Sequence, residues 1–290
     1  FVLSIAILCG PMFMAGQNNM GNYQALPQDT LQVRTWVAKA AGLRSGKSDE
    51  AISLLKQALS LAEKLGDLPG QATCQVHLGE ISIDKNEWAA ALSYLGNAKP
   101  LLLRLNDETE LARVYKLMGD IYYNRINLRQ ANEYYRESAV LARKTGQNKL
   151  LNECQDAMAN ILVESGRTTG AINMFRRSLS LKTGLNDEKG ILRTNLALSH
   201  LYISVKNYDS ALYFISEVQR LAGTDKEVLT SAAIDQMVIY AYQGKLPEAG
   251  QAKTEAEHLL AQRPNAINRV KLLAAITGYH MLRKDNAQVE

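Results

Sequence analysis

Apolar residues recur at intervals of three and four along most of this chain, a spacing that places them on one face of an α-helix. In segment 110–148 this pattern predicts two helices joined by the polar turn 124–127, with the second ending near Gly146. Glycine there can adopt the left-handed backbone that ends many helices. The apolar positions of this unit are Leu111, Val114, Tyr115, Met118, Ile121 and Tyr122, then Ala131, Tyr134, Tyr135 and Leu141.

The same pattern returns every forty residues. Three separate positions share this period, which indicates stacked copies of one two-helix unit. The first position holds Ala51, Ala91, Ala131, Ala171 and Ala211, continued with a shorter step by Ala249 and then Ala287. The second holds the small residues Gly79, Gly119, Ala159 and Ser199, and the third holds the helix-ending types Gly66, Asn106, Gly146 and Asn186.

The small residues predict where the two helices of a unit cross. Helices approach closely only where neither side chain is bulky. We therefore expect the small residue of the first helix and the alanine of the second to mark each crossing. The large apolar residues that follow each alanine by four positions are expected to fill the adjacent space; they are Leu55, Leu95, Tyr135, Phe175 and Ile215.

Two segments carry a family resemblance. Met118-Gly119-Asp120-Ile121-Tyr122 and Ala171-Ile172-Asn173-Met174-Phe175 are similar to the two halves of the tetratricopeptide repeat. The resemblance implies an all-α, right-handed α-solenoid of about seven helical hairpins over residues 29–290. Asn286-Ala287 is expected to begin a second helix, so that the last hairpin is incomplete.

The chain departs from the family pattern at several places. No copy carries the tryptophan of the first helix, and Lys39 and Met237 stand where the register expects a small residue. The repeat of forty also exceeds the usual 34 or so residues. Such long repeats resemble those of kinesin light chains and of bacterial Rap-type peptide-sensing regulators. The loop sequences Leu65-Gly66-Asp67 and Leu105-Asn106-Asp107 resemble a third group more than these two. That group is the extracytoplasmic repeat region of Bacteroidetes-type histidine kinases and helix-turn-helix regulators.

The first 28 residues contain no charged side chain. Residues 1–15 form an apolar run too short for a membrane-spanning helix and typical of a truncated signal peptide, and residues 16–28 are predicted to be an uncharged linker. We therefore expect a secreted or periplasm-facing protein, with membrane attachment only through flanking segments. The alternatives are an apolar cap on the first repeat and, less favoured because Leu8 precedes it, a lipid attachment at Cys9.

Composition narrows the possible functions. The chain has 33 basic and 29 acidic residues, a net charge of +4 that is too weak and dispersed for nucleic-acid binding.

Cys74 and Cys154 occupy the same repeat position two units apart. At about 8 to 10 Å per packed layer they are too distant for a disulfide, so we expect buried thiols.

No segment predicts catalysis, a cofactor or a metal site. Residues 41–48 fit a relaxed phosphate-loop pattern through Lys47, but no buried strand precedes them. We interpret them as a turn with Ser48 capping the next helix. His77, His200, His258 and His280 lie in separate repeats without metal-ligand spacing.

Binding is better supported, because stacked hairpins form a groove lined by their first helices. We expect a protein or peptide ligand there, with no nucleic acid; a homodimer is left open. By resemblance, the domain is the sensory input of a bacterial signalling protein, and the alternatives are a free-standing secreted scaffold or a cytosolic Rap-type regulator. A merely hydrated groove is equally compatible with the residues. The candidate groove residues are Arg113, Lys116, Asp120, Tyr123, Asn124, Glu153, Asp156, Asn160, Arg193 and His200.

Overall fold

The computed structural model describes residues 28–287, which form thirteen α-helices and contain no strand. Odd-numbered helices are the first helices of the repeats, and even-numbered ones are the second helices. Six hairpins are complete in these residues, and α13 follows them as a seventh first helix. The helices are α1 (Gln28–Leu43), α2 (Ser48–Leu65), α3 (Leu68–Asp84), α4 (Trp88–Leu105), α5 (Glu108–Asn124), α6 (Leu128–Lys144), α7 (Asn148–Glu164), α8 (Thr168–Gly184), α9 (Glu188–Ser204), α10 (Tyr208–Ala222), α11 (Lys226–Tyr242), α12 (Leu246–Gln262) and α13 (Ala266–Ala287).

Two adjacent residues end one hairpin and start the next. Gly66 and Asn106 have positive φ angles of 67° and 52°, as the sequence predicted from their residue types. The aspartate that follows then accepts a hydrogen bond from an amide three residues ahead; Asp67 does so from Gly70 at 3.1 Å and Asp107 from Glu110 at 3.0 Å. This side-chain cap satisfies an amide that the helix itself leaves unpaired. Gly146 and Asn186 complete the predicted series, with φ angles of 73° and 53°.

The helices of each hairpin cross at the small residues. A Cβ atom placed on Gly79 lies 2.9 Å from the Leu95 side chain, and one placed on Gly119 lies 2.7 Å from the Tyr135 ring. The large residue therefore lies directly over the glycine rather than beside the crossing. The predicted crossing-point alanines are fully buried; they are Ala51, Ala91, Ala131, Ala171, Ala211 and Ala249.

Four predicted details are wrong. In the first repeat Lys39 is exposed and Ala40 is fully buried, so the small position is filled after a one-residue shift, which also puts Trp36 at the family's tryptophan position, where none was expected. Ser48 does not cap α2, because Lys47 occupies the cap position and no side chain bonds the free amides there. Ala287 is the last residue of α13 and does not begin a second helix. Met237, by contrast, is fully buried in the sixth repeat, at a position held by small residues elsewhere.

The first helices form the inner face of the solenoid. They contact one another across repeats, as in the pairs α1/α3, α9/α11 and α11/α13, whereas the extensive contacts of the described second helices are with first helices. Cys74 and Cys154 are buried free thiols, as predicted. The apolar segment 1–15 and most of the linker 16–28 lie outside the described residues. Among the helices described, none is long and apolar enough to span a bilayer.

Candidate functional site

All ten predicted groove residues lie on first helices. Arg113, Lys116, Asp120, Tyr123 and Asn124 belong to α5, Glu153, Asp156 and Asn160 to α7, and Arg193 and His200 to α9. Their environments differ, however. Most of those on α5 pair with neighbouring protein groups, while some of those further along the chain face solvent.

The strongest pairing on the inner face centres on Glu80 of α3, which is 5% exposed. Arg44 donates to its carboxylate at 3.0 Å, and Arg113 of the next repeat forms a second ion pair with it. Arg44 also binds Asp84, with Nε 2.5 Å from Oδ2. The network therefore joins three successive repeats, and the charge of Arg113 is paired within the protein.

The pKa of Glu80 reflects this pairing. Burial raises the pKa, but the hydrogen bond with His77 and the charges of Arg113 and Arg44 outweigh burial, so that the pKa lies below its ordinary value. The His77 ring nitrogen lies 3.2 Å from the Glu80 carboxylate. Glu80 is therefore an ionised structural group, surrounded by its partners.

Lys116 and Asp120 form a second pair, one repeat further along. Lys116 Nζ lies 2.8 Å from Asp120 and 3.9 Å from Glu153 of α7. Asp120 also accepts a hydrogen bond from the Tyr135 hydroxyl at 2.9 Å. The predicted cation pair of Arg113 and Lys116 is thus internally neutralised and is poorly suited to bind a ligand carboxylate.

Two further residues of α5 also have protein partners. The Tyr123 hydroxyl donates to Glu164, and this bond raises the pKa of Tyr123 to about 12. The Asn124 side chain donates to the carbonyl of Asp120 in its own helix at 2.8 Å. Neither group points to a ligand.

Asp156 faces the second helix of its repeat instead of offering its carboxylate to the groove. Lys182 of α8, which is 3% exposed, donates to Asp156 at 2.6 Å and to Thr194 of α9 at 2.5 Å. Ser178 donates to the other carboxylate oxygen. The role of Asp156 is to neutralise a buried lysine between repeats, because an unpaired charge there would be costly.

Asn160 and Arg193 are the predicted residues that remain available. Both are exposed, and among the described side chains neither has a hydrogen bond or an ion pair. The repeat register explains this. Arg113 forms an ion pair with Glu80 of the preceding repeat. Eighty residues later the same two positions hold Arg193 and Asn160, and the neutral Asn160 cannot form that ion pair.

The inner face then opens into a cavity of about 600 Å³ between α9, α11 and α13. His200 lies at its edge, with Nε2 2.9 Å from a carboxylate oxygen of Asp235. Lys271 of α13 supplies a cation. The walls are mainly apolar and include Ile234, Val238, Ala241, Ala275, Tyr279 and Met281.

The sequence reasoning missed this cavity because its residue selection ended at α9. Continuing the alanine register to Ala249 would have found Val238 at the position of His200. Its next step, to Ala287, would have missed Lys271 and Gly278, which match Arg193 and His200 only when the helix caps Asp187, Asp225 and Asn265 are aligned. The sequence contains no signal for the depth of the cavity, because that depth depends on how α13 packs against α11.

The phosphate-loop match is a turn, as predicted. The amides of Gly46 and Lys47 bond back to the Leu43 carbonyl at 3.3 and 2.8 Å, and Lys47 pairs with Glu50 at 3.0 Å. The preceding element is helix α1 rather than a strand. Within the described residues, no cluster of three or more histidine, cysteine or acidic side chains could hold a metal ion.

Comparison with known proteins supports the repeat assignment. A tetratricopeptide repeat family model matches residues 37–69. Tetratricopeptide repeat protein 29 of Macaca fascicularis is 22% identical over 172 residues, which are 57% of this chain and 36% of that protein. The similar region therefore spans about a third of the relative's length.

Solved structures with low sequence identity share the fold. One is a signal transduction ATPase with numerous domains (STAND) from Pyrococcus horikoshii with a tetratricopeptide repeat sensor, at TM-score 0.71 and 18% identity over 82% of this chain and 38% of that one. Another is the apo form of RapI, at TM-score 0.71 and 18% identity over 89% of this chain and 72% of that one. The predicted tetratricopeptide-like α-solenoid is confirmed.

Proposed function

We propose that this chain is a non-catalytic recognition module that binds a protein or peptide on the C-terminal half of its inner face. The observation that carries the proposal is the cavity between α9, α11 and α13, where apolar walls adjoin His200, Asp235 and Lys271. Its volume falls within the range of roughly 300 to 1,000 Å³ that is usual for ligand sites. The inner face over α3 and α5 lacks such a combination, because Arg113 pairs with Glu80 and Lys116 pairs with Asp120.

An extended peptide suits this surface. Asn160 can pair with a peptide backbone, Arg193 and Lys271 can pair with acidic groups, and the cavity can take an apolar side chain. The first helices of several repeats would thus bind successive parts of the peptide. This assignment keeps Asn160, Arg193 and His200 from the sequence prediction and replaces the α5 residues with Asp235, Val238 and Lys271.

The wider role that we propose is the sensory input of a bacterial signal-transduction protein, secreted or facing the periplasm. A solenoid of this fold is the sensor of the Pyrococcus horikoshii STAND protein, and residues 1–15 have the apolar character of an export signal. The rival roles are a free-standing secreted scaffold and a cytosolic Rap-type regulator. Cell fractionation together with the complete reading frame separates the three.

Peptide selection tests the binding proposal. A random peptide library displayed on phage is panned against the full chain, and the enriched peptides are titrated by fluorescence anisotropy. Ala275→Trp fills the cavity and is expected to weaken binding at least tenfold, or by about 1.4 kcal/mol. Ala89→Trp, on an exposed position of α4, is the matched control and is expected to leave binding unchanged.

Two results would overturn the proposal. One is that panning enriches no peptide. The other is that the enriched peptides bind Ala275→Trp as tightly as the unmodified chain.

A further inference from the structure

A second cavity lies on the outer side of the solenoid, away from the proposed peptide site. It has a volume of about 340 Å³ and lies between the second helices α6 and α8, over α7. Leu162 and Met158 of α7 and Met174 of α8 form its apolar floor. Arg136 and Arg143 of α6 stand at its edge.

The two adjacent repeats carry an aromatic pair on this floor. Forty residues earlier, Tyr122 and Tyr134 hold the positions of Leu162 and Met174, and their rings stack at 5.4 Å with an interplanar angle of 6°. Forty residues later, Tyr202 and Phe214 stack at 5.5 Å and 9°. The intervening repeat therefore lacks the aromatic pair that its two neighbours share.

The edge of this cavity also differs in charge from the next one. The corresponding cavity beside Tyr202 and Phe214 has Arg176 together with Asp209 in its lining. The cavity over α7 has two arginines and no acidic side chain in its lining. Among the described side chains, neither Arg136 nor Arg143 forms an ion pair, so their charge is available to an outside group.

An exposed apolar residue extends the surface between the two arginines. Val140 lines the cavity, lies within one helical turn of both arginines and is 65% exposed. Val140 is continuous with the apolar floor of the cavity, and a continuous apolar surface rimmed by polar side chains is typical of protein interaction sites. Arginine favours the same interpretation, because its guanidinium both stacks on aromatic rings and pairs with carboxylates.

We propose that this outer cavity is a docking site for a partner protein segment with an aromatic side chain next to an acidic residue. The ring takes the place of the absent aromatic pair, against Leu162 and the sulfur of Met174. The acidic residue pairs with Arg136 and Arg143. The site is independent of the inner-face cavity and does not require the inner face to bind a peptide.

Methionine signals provide a direct measurement. The full chain is labelled with ¹³C at the methionine methyl groups and titrated with the N-acetylated, C-amidated tripeptide Glu-Phe-Glu. The methyl signals of Met158 and Met174 are expected to shift in a saturable way. Glu-Ala-Glu, which lacks the ring, and Lys-Phe-Lys, which reverses the charge, are the control peptides and are expected to leave both signals in place.

Two variants test the two parts of the site separately. Leu162→Tyr with Met174→Phe rebuilds the Tyr202–Phe214 pair of the next repeat and is expected to abolish the Met158 shift. Arg136→Gln with Arg143→Gln keeps the floor and is expected to weaken the Glu-Phe-Glu titration about tenfold, a loss typical of two exposed ion pairs. Thermal unfolding monitored by circular dichroism verifies that each variant folds. If the aromatic variant does not fold, the titration of the arginine variant alone tests the proposal.

The proposal is overturned if Met158 and Met174 do not respond to Glu-Phe-Glu. It is also overturned if Lys-Phe-Lys shifts them equally, or if the arginine variant binds Glu-Phe-Glu as tightly as the unmodified chain.

Discussion

Single residues in the turns show where residue type determines the backbone and where it does not. The turns between hairpins use Gly66, Asn106, Gly146 and Asn186, all predicted from residue types that tolerate a positive φ. The turns within hairpins have a second series of positive φ angles, again forty residues apart until the shorter last step. This series holds Asn86, Ile126, Gly166, Lys206 and Gly244.

Ile126 and Lys206 could not be predicted from their residue type. A β-branched side chain disfavours the left-handed backbone, yet Ile126 has a φ of 60°. The packing of α5 against α6 fixes the turn geometry and imposes this angle. Alignment with Gly166, forty residues later, was the available signal in the sequence.

Replacement of Ile126 by asparagine is expected to stabilise the protein. Asn86 holds the same turn position, and Ile126 is 82% exposed, so that little packing is lost. We expect the free energy of unfolding to rise by about 1 kcal/mol, measured by urea denaturation. Ile126→Val keeps the β-branched side chain and is expected to leave the free energy of unfolding unchanged. Equal stability of the two variants would show that the positive φ of residue 126 does not strain the isoleucine backbone.

Pairs of helices are held together by close contact at a few small residues. The sequence predicted these positions from their period alone. It could not predict that Leu95 and Tyr135 lie directly over Gly79 and Gly119, because that contact depends on the side-chain rotamers of the facing helix.

A matched pair of glycine substitutions tests this contact. Gly119→Ala places a methyl group 2.7 Å from the Tyr135 ring and is expected to lower the free energy of unfolding by about 1 to 3 kcal/mol. Gly96→Ala, in α4, meets no atom within 4 Å and is expected to raise it by about 0.5 to 1 kcal/mol through helix propensity. Urea denaturation measures both, and a loss of the same size in both variants would show that the Tyr135 contact is not the cause.

The ion pairs between helices could not be predicted from the sequence. Arg113 and Asp156 were predicted as groove residues because of their helix face. Arg113 instead binds Glu80, 33 residues earlier, and Asp156 binds Lys182, 26 residues later. Helix periodicity gives the face of a residue but not its partner in a neighbouring helix.

The Glu80 network predicts a pH dependence. The folded state lowers the pKa of Glu80, so its ionised form adds stability that is fully present above the unfolded pKa of about 4.3. This contribution is lost as the pH falls through the lower, folded pKa. Glu80→Gln is therefore expected to destabilise the protein by about 1 to 2 kcal/mol at pH 7, with a difference from the unmodified chain that shrinks below pH ~4.5.

Urea denaturation between pH 7 and pH 3 measures this difference. Glu110→Gln is the control, because Glu110 pairs with the same Arg113 but is more exposed, and we expect a smaller effect. A Glu80→Gln difference that stays constant or grows as the pH falls would contradict the assignment.

Across the whole molecule, the inner face changes character along the solenoid. In α3 and α5 the central charged groups are paired within the protein, and from α9 to α13 the inner face offers Arg193, Lys271 and an apolar cavity. The sequence predicted the solenoid and identified its first helices as the lining of the groove. The location of the available surface required the packing of side chains from several repeats.

Hydrogen–deuterium exchange on the full chain tests this location most directly. A peptide selected by panning is added, and amide exchange is compared with that of the free chain. We expect protection in α9, α11 and α13, above all in segments 193–204, 231–242 and 266–281. Protection confined to α3, α5 and α7, or to the second helices, would contradict the assignment of binding to the C-terminal half of the inner face.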